Sequence, residues 1–162
     1  MLLLLATPEY NNLQSNITKV RVHLRNGVAE IFDQHQDLMG KVENNLIEIE
    51  TNFENKLEKS LFVLQDAVFI VSNKGLDGNA ETNETGVYIY AKKAAKVGKN
   101  IPTDELSEQY DTKKVLLDAE LEKLNEKKSD SLNKVVTSKV LLLQDEVEFL
   151  RKAIVIAKDL KV

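Results

Sequence analysis

The groups that could hold a metal ion or move a proton are few in this chain, and the densest set surrounds a histidine. His35 stands between Asp33 and Asp37, each two residues away. Two carboxylates and one imidazole can ligate a metal, but this spacing matches no specific ligand pattern, so we predict a structured loop without a metal. The absence of Cys excludes a thiolate zinc site, a disulfide framework and a thiol nucleophile.

The other histidine lies in a segment where apolar and basic residues alternate. Val20 and Val22 alternate with Arg21, His23 and Arg25, which is the period of two expected of a strand with one buried face. Neighbouring cations disfavour a metal ion at His23. We therefore predict that Arg21, His23 and Arg25 form a cationic strip that faces solvent or steers an acidic partner.

No arrangement of residues typical of an enzyme active site occurs in the sequence. The six glycines are scattered, so there is no phosphate-binding loop, and no serine has the flanking glycines of a nucleophile elbow. The carboxylate pairs Asp118/Glu122 and Glu146/Glu148 fall on amphipathic segments, where such pairs form solvated helix faces. We therefore predict a non-catalytic protein that uses no cofactor.

Composition and charge narrow the class of protein further. The 162 residues are 43% hydrophobic and 30% charged, enough for a packed core, and a net charge of −4 offers no basic field for nucleic acid. Only three of the 22 basic residues are Arg, which with abundant Asn indicates an AT-rich genome. No segment approaches the roughly 20 apolar residues of a membrane span, and the leucine run at residues 2–5 lacks the basic flank of a signal peptide. We expect a cytoplasmic protein without membrane insertion.

The first hundred residues have the pattern of a β-structure. Apolar and alternating runs predict strands at 2–6, 20–25, 46–50, 61–64, 68–71 and 86–91. A long polar loop is predicted at 75–85. Many short strands at close spacing are typical of a β-sandwich or flattened barrel, so we predict a β-sandwich domain over 1–100.

From Pro102 onward the apolar period becomes helical. Thr103 is an N-cap residue followed by two acids, and the polar residues 125–130 separate two helical segments. The sequence therefore predicts an antiparallel two-helix hairpin over 101–162. The whole chain is then a two-domain α+β protein, with the sandwich first and the hairpin second.

The second predicted helix carries more apolar surface than the first helix can cover. One stripe, which includes Val140, recurs at steps of three and four and faces the first helix. A second stripe consists of residues seven apart: Val135, Leu142, Phe149 and Ile156. Four uncovered side chains of this size would forgo about 6 to 12 kcal/mol of hydrophobic stabilisation. We predict that a partner surface, or the β-domain, covers this second stripe.

Several segments stand in an order found in one known family. An apolar strand precedes Thr7-Pro8-Glu9, and His35 and Leu38 match the family's Gly-His-Ala-Pro-Leu segment. Residues 46–49 then match its Val-Leu-Arg-Ile strand, and residues 62–71 its Phe-Ala-Val-Ser-Gly-Gly-Phe-Val-Glu-Val strand. With the helical hairpin that follows, this order resembles the epsilon subunit of F-type ATP synthases, which pairs an N-terminal β-sandwich with two C-terminal helices.

The resemblance implies a function and a set of partners. It implies a non-catalytic central-stalk subunit of an F-type or F-type-like rotary ATPase, docked on the gamma subunit through His35 and Leu38. The catalytic alpha/beta hexamer and the c-subunit ring are further candidate partners, and regulation of ATP hydrolysis is a candidate role. The complex would hold the protein at the inner face of the plasma membrane. Asp66-Ala67 stands where the family has Gly-Gly.

Some members of that family bind ATP on the hairpin through a motif resembling Ile/Leu-Asp-x-x-Arg-Ala. Residues 110–115 read Tyr-Asp-Thr-Lys-Lys-Val here, so the resemblance implies Asp111, Lys113 and Lys114 as nucleotide-binding candidates, with Arg151 as an extra cation. Lysine lacks the forked guanidinium of arginine, and we predict no ATP binding tighter than millimolar. Two alternatives stay open, namely a stand-alone nucleotide-sensing module and a scaffold that uses the hairpin as a coiled-coil arm.

Overall fold

The fold divides into two compact units, Met1–Gly98 and Lys99–Val162. The structure, a computed structural model, describes residues 1–74, 84–126 and 130–161, and for 130–136 only the backbone. The loop predicted at 75–85 lies, except for its last two residues, outside the described residues.

Eight strands lie in the described part of the first unit. They are β1 Leu2–Ala6, β2 Asn11–Gln14, β3 Ile17–Leu24, β4 Gly27–Ile31, β5 Leu38–Val42, β6 Asn45–Phe53, β7 Lys56–Ser72 and β8 Gly86–Val97. They form one hydrogen-bonded sheet in the order β2-β1-β8-β7-β6-β3-β4, and β5 also pairs with β7. The α+β class is confirmed, and the strands predicted to form a sandwich or flattened barrel are hydrogen-bonded into one continuous sheet.

The strands predicted at 61–64 and 68–71 are in fact parts of the single strand β7. Asp66 lies between them with φ 45°, in the left-handed region that Asp tolerates better than most residues. The left-handed residue lets the strand continue, so the prediction of two short strands is wrong.

The alternation of buried residues changes phase where Asp66 interrupts β7. Phe62 and Leu64 point into the core before it, and Phe69 and Val71 do so after it. All four belong to one cluster of buried residues with side chains of β1, β3, β4, β5, β6 and β8. The phase change thus lets both halves of a 17-residue strand contribute to the same core.

A close approach between two strands fixes the identity of one core position. Gly40 on β5 pairs with Phe69 on β7, and a Cβ atom at Gly40 would lie 2.5 Å from Cε1 of Phe69. Phe69 is the largest fully buried side chain among the described residues. The phenyl ring therefore occupies the space that any side chain at position 40 would need.

The second unit contains the two predicted helices, α1 Asp104–Glu126 and α2 Asp130–Asp159. The hairpin prediction is confirmed, and Ser107 N–H bonds to the carbonyl of Thr103 as expected at a helix start. The predicted stripes meet in a buried cluster of Leu117, Val140, Leu143 and Val147, with Tyr110 and Leu121 against it. No described helix is long and apolar enough to cross a membrane.

Candidate protein-interaction surfaces

The predicted cationic strip on β3 is paired with carboxylates of neighbouring strands. Arg21 Nε lies 3.1 Å from Glu30 Oε1, an ion pair without hydrogen-bond geometry, and another of its nitrogens lies 3.6 Å from Glu48 Oε1. His23 Nε2 donates to Glu48 Oε1 over 2.7 Å, and Lys59 on β7 pairs with the same carboxylate. Arg21 and His23 are therefore already paired with carboxylates of the sheet, which the sequence analysis did not predict.

Glu48 is the centre of this ionic cluster. Burial raises the pKa of Glu48, but the hydrogen bonds donated by Lys59 and His23 outweigh burial, so the pKa lies below its ordinary value. Among the described residues Arg25, in the turn after β3, is exposed and has no ion pair. The pattern of a single strand could not reveal a carboxylate that only sheet pairing brings beside it.

The structure places His35 and Leu38 at the junction of β4 and β5. His35 is half-buried, and its Nδ1 donates to the carbonyl oxygen of Gln36 over 2.8 Å. Leu38 is half-buried and packs against the sheet core. No group of three or more His, Asp or Glu side chains suited to a metal ion occurs among the residues that the structure describes.

The second apolar stripe of α2 is not uniform. Leu142 is 57% exposed, whereas Phe149 is 3% exposed and Ile156 is half-buried. The side chain of Val135 lies outside the described part of the chain. The exposed portion of the stripe is thus at Leu142, beside the equally exposed Leu141.

The nucleotide-binding candidates already have ionic partners in the hairpin. Lys113 Nζ lies 2.6 Å from Glu146 Oε2 on the opposite helix. Lys114 Nζ lies 3.4 Å from Asp118 Oδ1, one turn along α1. The side chains of Asp111 and Arg151 are exposed. A bound phosphate would have to displace two carboxylates to reach the lysines.

An apolar row that crosses five strands was missed by the sequence analysis. Directly paired residues of neighbouring strands share one face of a sheet, and the register places these side chains in one row: Met39 on β5, Ile70 on β7, Tyr88 on β8, Leu4 on β1 and Leu13 on β2. Met39 is 73% exposed and Leu13 is 64% exposed. We call this set the apolar row.

The face that carries the apolar row is apolar beyond the row itself. Val68 and Tyr90 pair with each other two residues further along β7 and β8, and both are exposed. The core residues of these strands point to the opposite face. The run at 2–6 indicated a buried strand, and only Leu3 and Leu5 are buried in it. Because residues 2–5 are all Leu, the sequence contains no alternation that could have revealed this surface.

Comparison with known proteins finds a similar fold but no similar sequence. The sequence matches no family model and no curated protein. A chain of the Euglena gracilis mitochondrial ATP synthase, in its OSCP/F1/c-ring part, matches over 94% of this chain and 79% of its own length, with a TM-score of 0.51 and 14% identity. A chain from the central stalk and c-ring of the Tetrahymena thermophila enzyme matches over 94% and 95%, with a TM-score of 0.49 and 15% identity.

The match to the Euglena chain, with a TM-score of 0.51 over 94% of this chain, shows a similar fold, and the 14% identity adds nothing beyond the fold. This protein therefore shares its fold, a sheet unit followed by two helices, with a chain of that ATP synthase assembly. The relation that the order of motifs implied is supported at the level of fold.

Proposed function

We propose that this protein is a non-catalytic central-stalk subunit of an F-type or F-type-like rotary ATPase, docked on its gamma subunit. The observation that carries the proposal is the fold shared over 94% of the chain with a chain of the Euglena ATP synthase. The order of motifs along the sequence supports the same assignment. Catalysis then belongs to other subunits, and the complex holds the protein beside the membrane.

The apolar row supplies the docking face in this proposal. On this face Leu13, Met39, Val68 and Tyr90 are exposed, on four different strands. Such apolar patches, larger than isolated surface residues, mark interaction sites. Met39 and Leu13 stand at the two ends of the row, and Tyr88, which is 7% exposed, stands near its centre. Burial of Met39 and Leu13 against gamma would remove their apolar surface from water.

Co-purification tests the proposal directly. The full chain, tagged and purified from its own cells, should bring down the gamma subunit and the catalytic subunits together. The double variant Met39→Asp/Leu13→Asp should lose most of this association, because two charges would enter the buried interface. Phe53→Asp is the matched control, since Phe53 is 61% exposed at the turn between β6 and β7. Recovery of the wild-type chain without gamma would overturn the proposal.

Calorimetry with ATP distinguishes the proposal from a stand-alone nucleotide-sensing module. The ion pairs of Lys113 with Glu146 and of Lys114 with Asp118 oppose a phosphate site, so binding no tighter than millimolar is expected. A micromolar dissociation constant would favour the sensing module. A scaffold function would instead leave the chain associated with other proteins but not with gamma.

A further inference from the structure

The two sulfur atoms of this chain lie in opposite environments. The sequence contains no Cys, and its two methionines are Met1 and Met39. Met1 is 7% exposed and belongs to the buried core cluster, whereas Met39 on β5 is 73% exposed. Because a peroxide reaches a thioether from solvent, oxidation to the sulfoxide should occur first at Met39.

The side chain of Met39 points away from the core, although the strand that carries it is firmly held. Successive side chains of a strand point to opposite faces, and the preceding residue, Leu38, packs against the core cluster. The following residue, Gly40, leaves its space to the buried ring of Phe69. Residues 38–42 pair with β7 through the backbone. An oxygen atom added to the Met39 sulfur would therefore enter solvent and leave the sheet folded.

Met39 is also the most exposed member of the apolar row. It pairs with Ile70, and Val68 lies two residues away on the same face of β7. Oxidation converts the flexible, apolar thioether into a polar sulfoxide, a change that disrupts interfaces built on methionine. The same face would thus lose apolar character at its most accessible position, while the core behind it stays unchanged.

We propose that Met39 is a peroxide-sensitive modification site that controls the apolar row. A lone pair of the sulfur attacks hydrogen peroxide, and the O–O bond breaks as the S–O bond forms. The proton of the transferred oxygen moves to the departing hydroxide, which leaves as water, so the sulfur is oxidised by two electrons and the peroxide is reduced. A thiol-dependent sulfoxide reductase restores the thioether. The oxidation is independent of the proposed function, and only its consequence for docking rests on that function.

Mass spectrometry of the free, full chain treated with hydrogen peroxide tests the modification. The sulfoxide of Met39 should form at least about tenfold faster than that of Met1, because only Met39 is open to solvent. Hydrogen exchange of the sheet amides should be the same before and after oxidation. Equal rates at the two methionines would refute the site and leave the proposed function unaffected. Loss of amide protection on oxidation of Met39 would show damage to the fold and refute control of the row.

Dissociation from the immobilised gamma subunit of the same cells tests the consequence. The oxidised chain should dissociate about tenfold faster than the untreated chain, because docking would bury a sulfoxide without a hydrogen-bond partner. Met39→Gln, a polar side chain of similar length, should dissociate faster without any peroxide. Met39→Leu is the matched control, since it keeps Met1 but has no sulfur on this face. Peroxide should not change its dissociation rate.

The outcomes separate this inference from the proposed function. Gamma should slow the oxidation of Met39 in the complex, because docking covers the apolar row. If the oxidised chain dissociates at the untreated rate, or if Met39→Leu responds to peroxide as the unsubstituted chain does, control of docking by Met39 is refuted and the proposed function stands. Failure of the untreated chain to bind gamma would refute the proposed function, and the oxidation rates of the free chain would still decide the modification site.

Discussion

The sheet unit and the helical unit are stabilised in different ways. The sheet unit buries one cluster of 18 apolar residues, of which Met1 precedes β1 and the others come from seven of its eight strands. In the described part of the helical unit, one buried cluster holds Leu117, Val140, Leu143 and Val147. Four more apolar side chains of α2 are buried: Phe149, Leu150, Ala153 and Ala157. Because hydrophobic burial is the main favourable term in folding, the sheet unit should resist denaturation better than the hairpin does. Unequal units of this kind open separately.

The hairpin also contains a buried carboxylate that pairs with exposed lysines of both helices. Glu120 is 6% exposed, and its Oε1 lies 2.6 Å from Lys139 Nζ on α2 and 3.1 Å from Lys123 Nζ on α1. The hydrogen bond from Lys139, followed by that from Lys123, lowers the pKa of Glu120. Polar partners at defined positions specify the register of packed helices more strictly than apolar side chains do. Both units therefore contain a buried, ion-paired carboxylate, Glu48 or Glu120, and they differ in the number of apolar side chains that they bury.

Substitution of Val140 by Asp should break the hairpin and leave the sheet unit folded. Val140 is 5% exposed at the seam, and an unpaired buried charge should destabilise the hairpin by about 3 to 5 kcal/mol. Circular dichroism should show loss of helix, while hydrogen exchange of the sheet amides stays slow. Leu142→Asp is the control, because Leu142 is 57% exposed on the same helix. Simultaneous loss of the helical signal and of sheet-amide protection would show that the two units unfold as one.

A methyl group at Gly40 should destabilise the sheet unit by overpacking. The added Cβ would lie 2.5 Å from Cε1 of Phe69, so Gly40→Ala should reduce the free energy of unfolding by about 1 to 3 kcal/mol. The double variant Gly40→Ala/Phe69→Leu should show positive coupling, because the smaller side chain at 69 makes room for the methyl group. Urea denaturation followed by exchange of the sheet amides measures both effects. Additive effects in the double variant would contradict close packing at this pair.

The helical half could be predicted from the sequence because its signals are local. The spacing of apolar residues and the cap at Thr103 lie within a few turns of each other, and the helices α1 and α2 begin and end close to the predicted positions. What the sequence could not supply was the partner of each charged residue. Glu120 and Lys113 find their partners on the opposite helix, and their identity depends on the register of the hairpin.

The sheet half was less predictable because its contacts are non-local. The class of structure and the burial of Val20 and Val22 are confirmed, but the long strand β7 was divided in two at Asp66. The residues around Asp66 have the composition of a loop. The sequence does not reveal that Asp66 adopts a left-handed conformation within a continuous strand. The ion pairs of the cationic strip were missed for a related reason, since Arg21 meets Glu30 and Glu48 only through the pairing of β3 with β4 and β6.

The smallest expected effect is the loss of stability in acid, to which Glu48 contributes in the sheet unit and Glu120 in the hairpin. The folded pKa of Glu48 lies below its ordinary value because hydrogen bonds from Lys59 and His23 outweigh burial. The stability that Glu48 contributes is therefore fully present above the unfolded pKa of about 4.3, and it is lost as pH falls through the lower folded pKa. The same sign holds for Glu120 in the hairpin.

Urea melts between pH 7 and pH 3 should consequently show falling stability of both units below about pH 4.3. Glu48→Gln should flatten this dependence in the exchange of the sheet amides, and Glu120→Gln should flatten it in the helical signal. The hairpin should lose the larger fraction of its stability, because it has fewer buried apolar side chains to maintain packing once the carboxylate is protonated. Glu9→Gln, at an exposed position in the loop after β1, serves as the control. If the two units lose the same fraction of their free energy of unfolding, ionic pairing contributes no more to the hairpin than to the sheet unit.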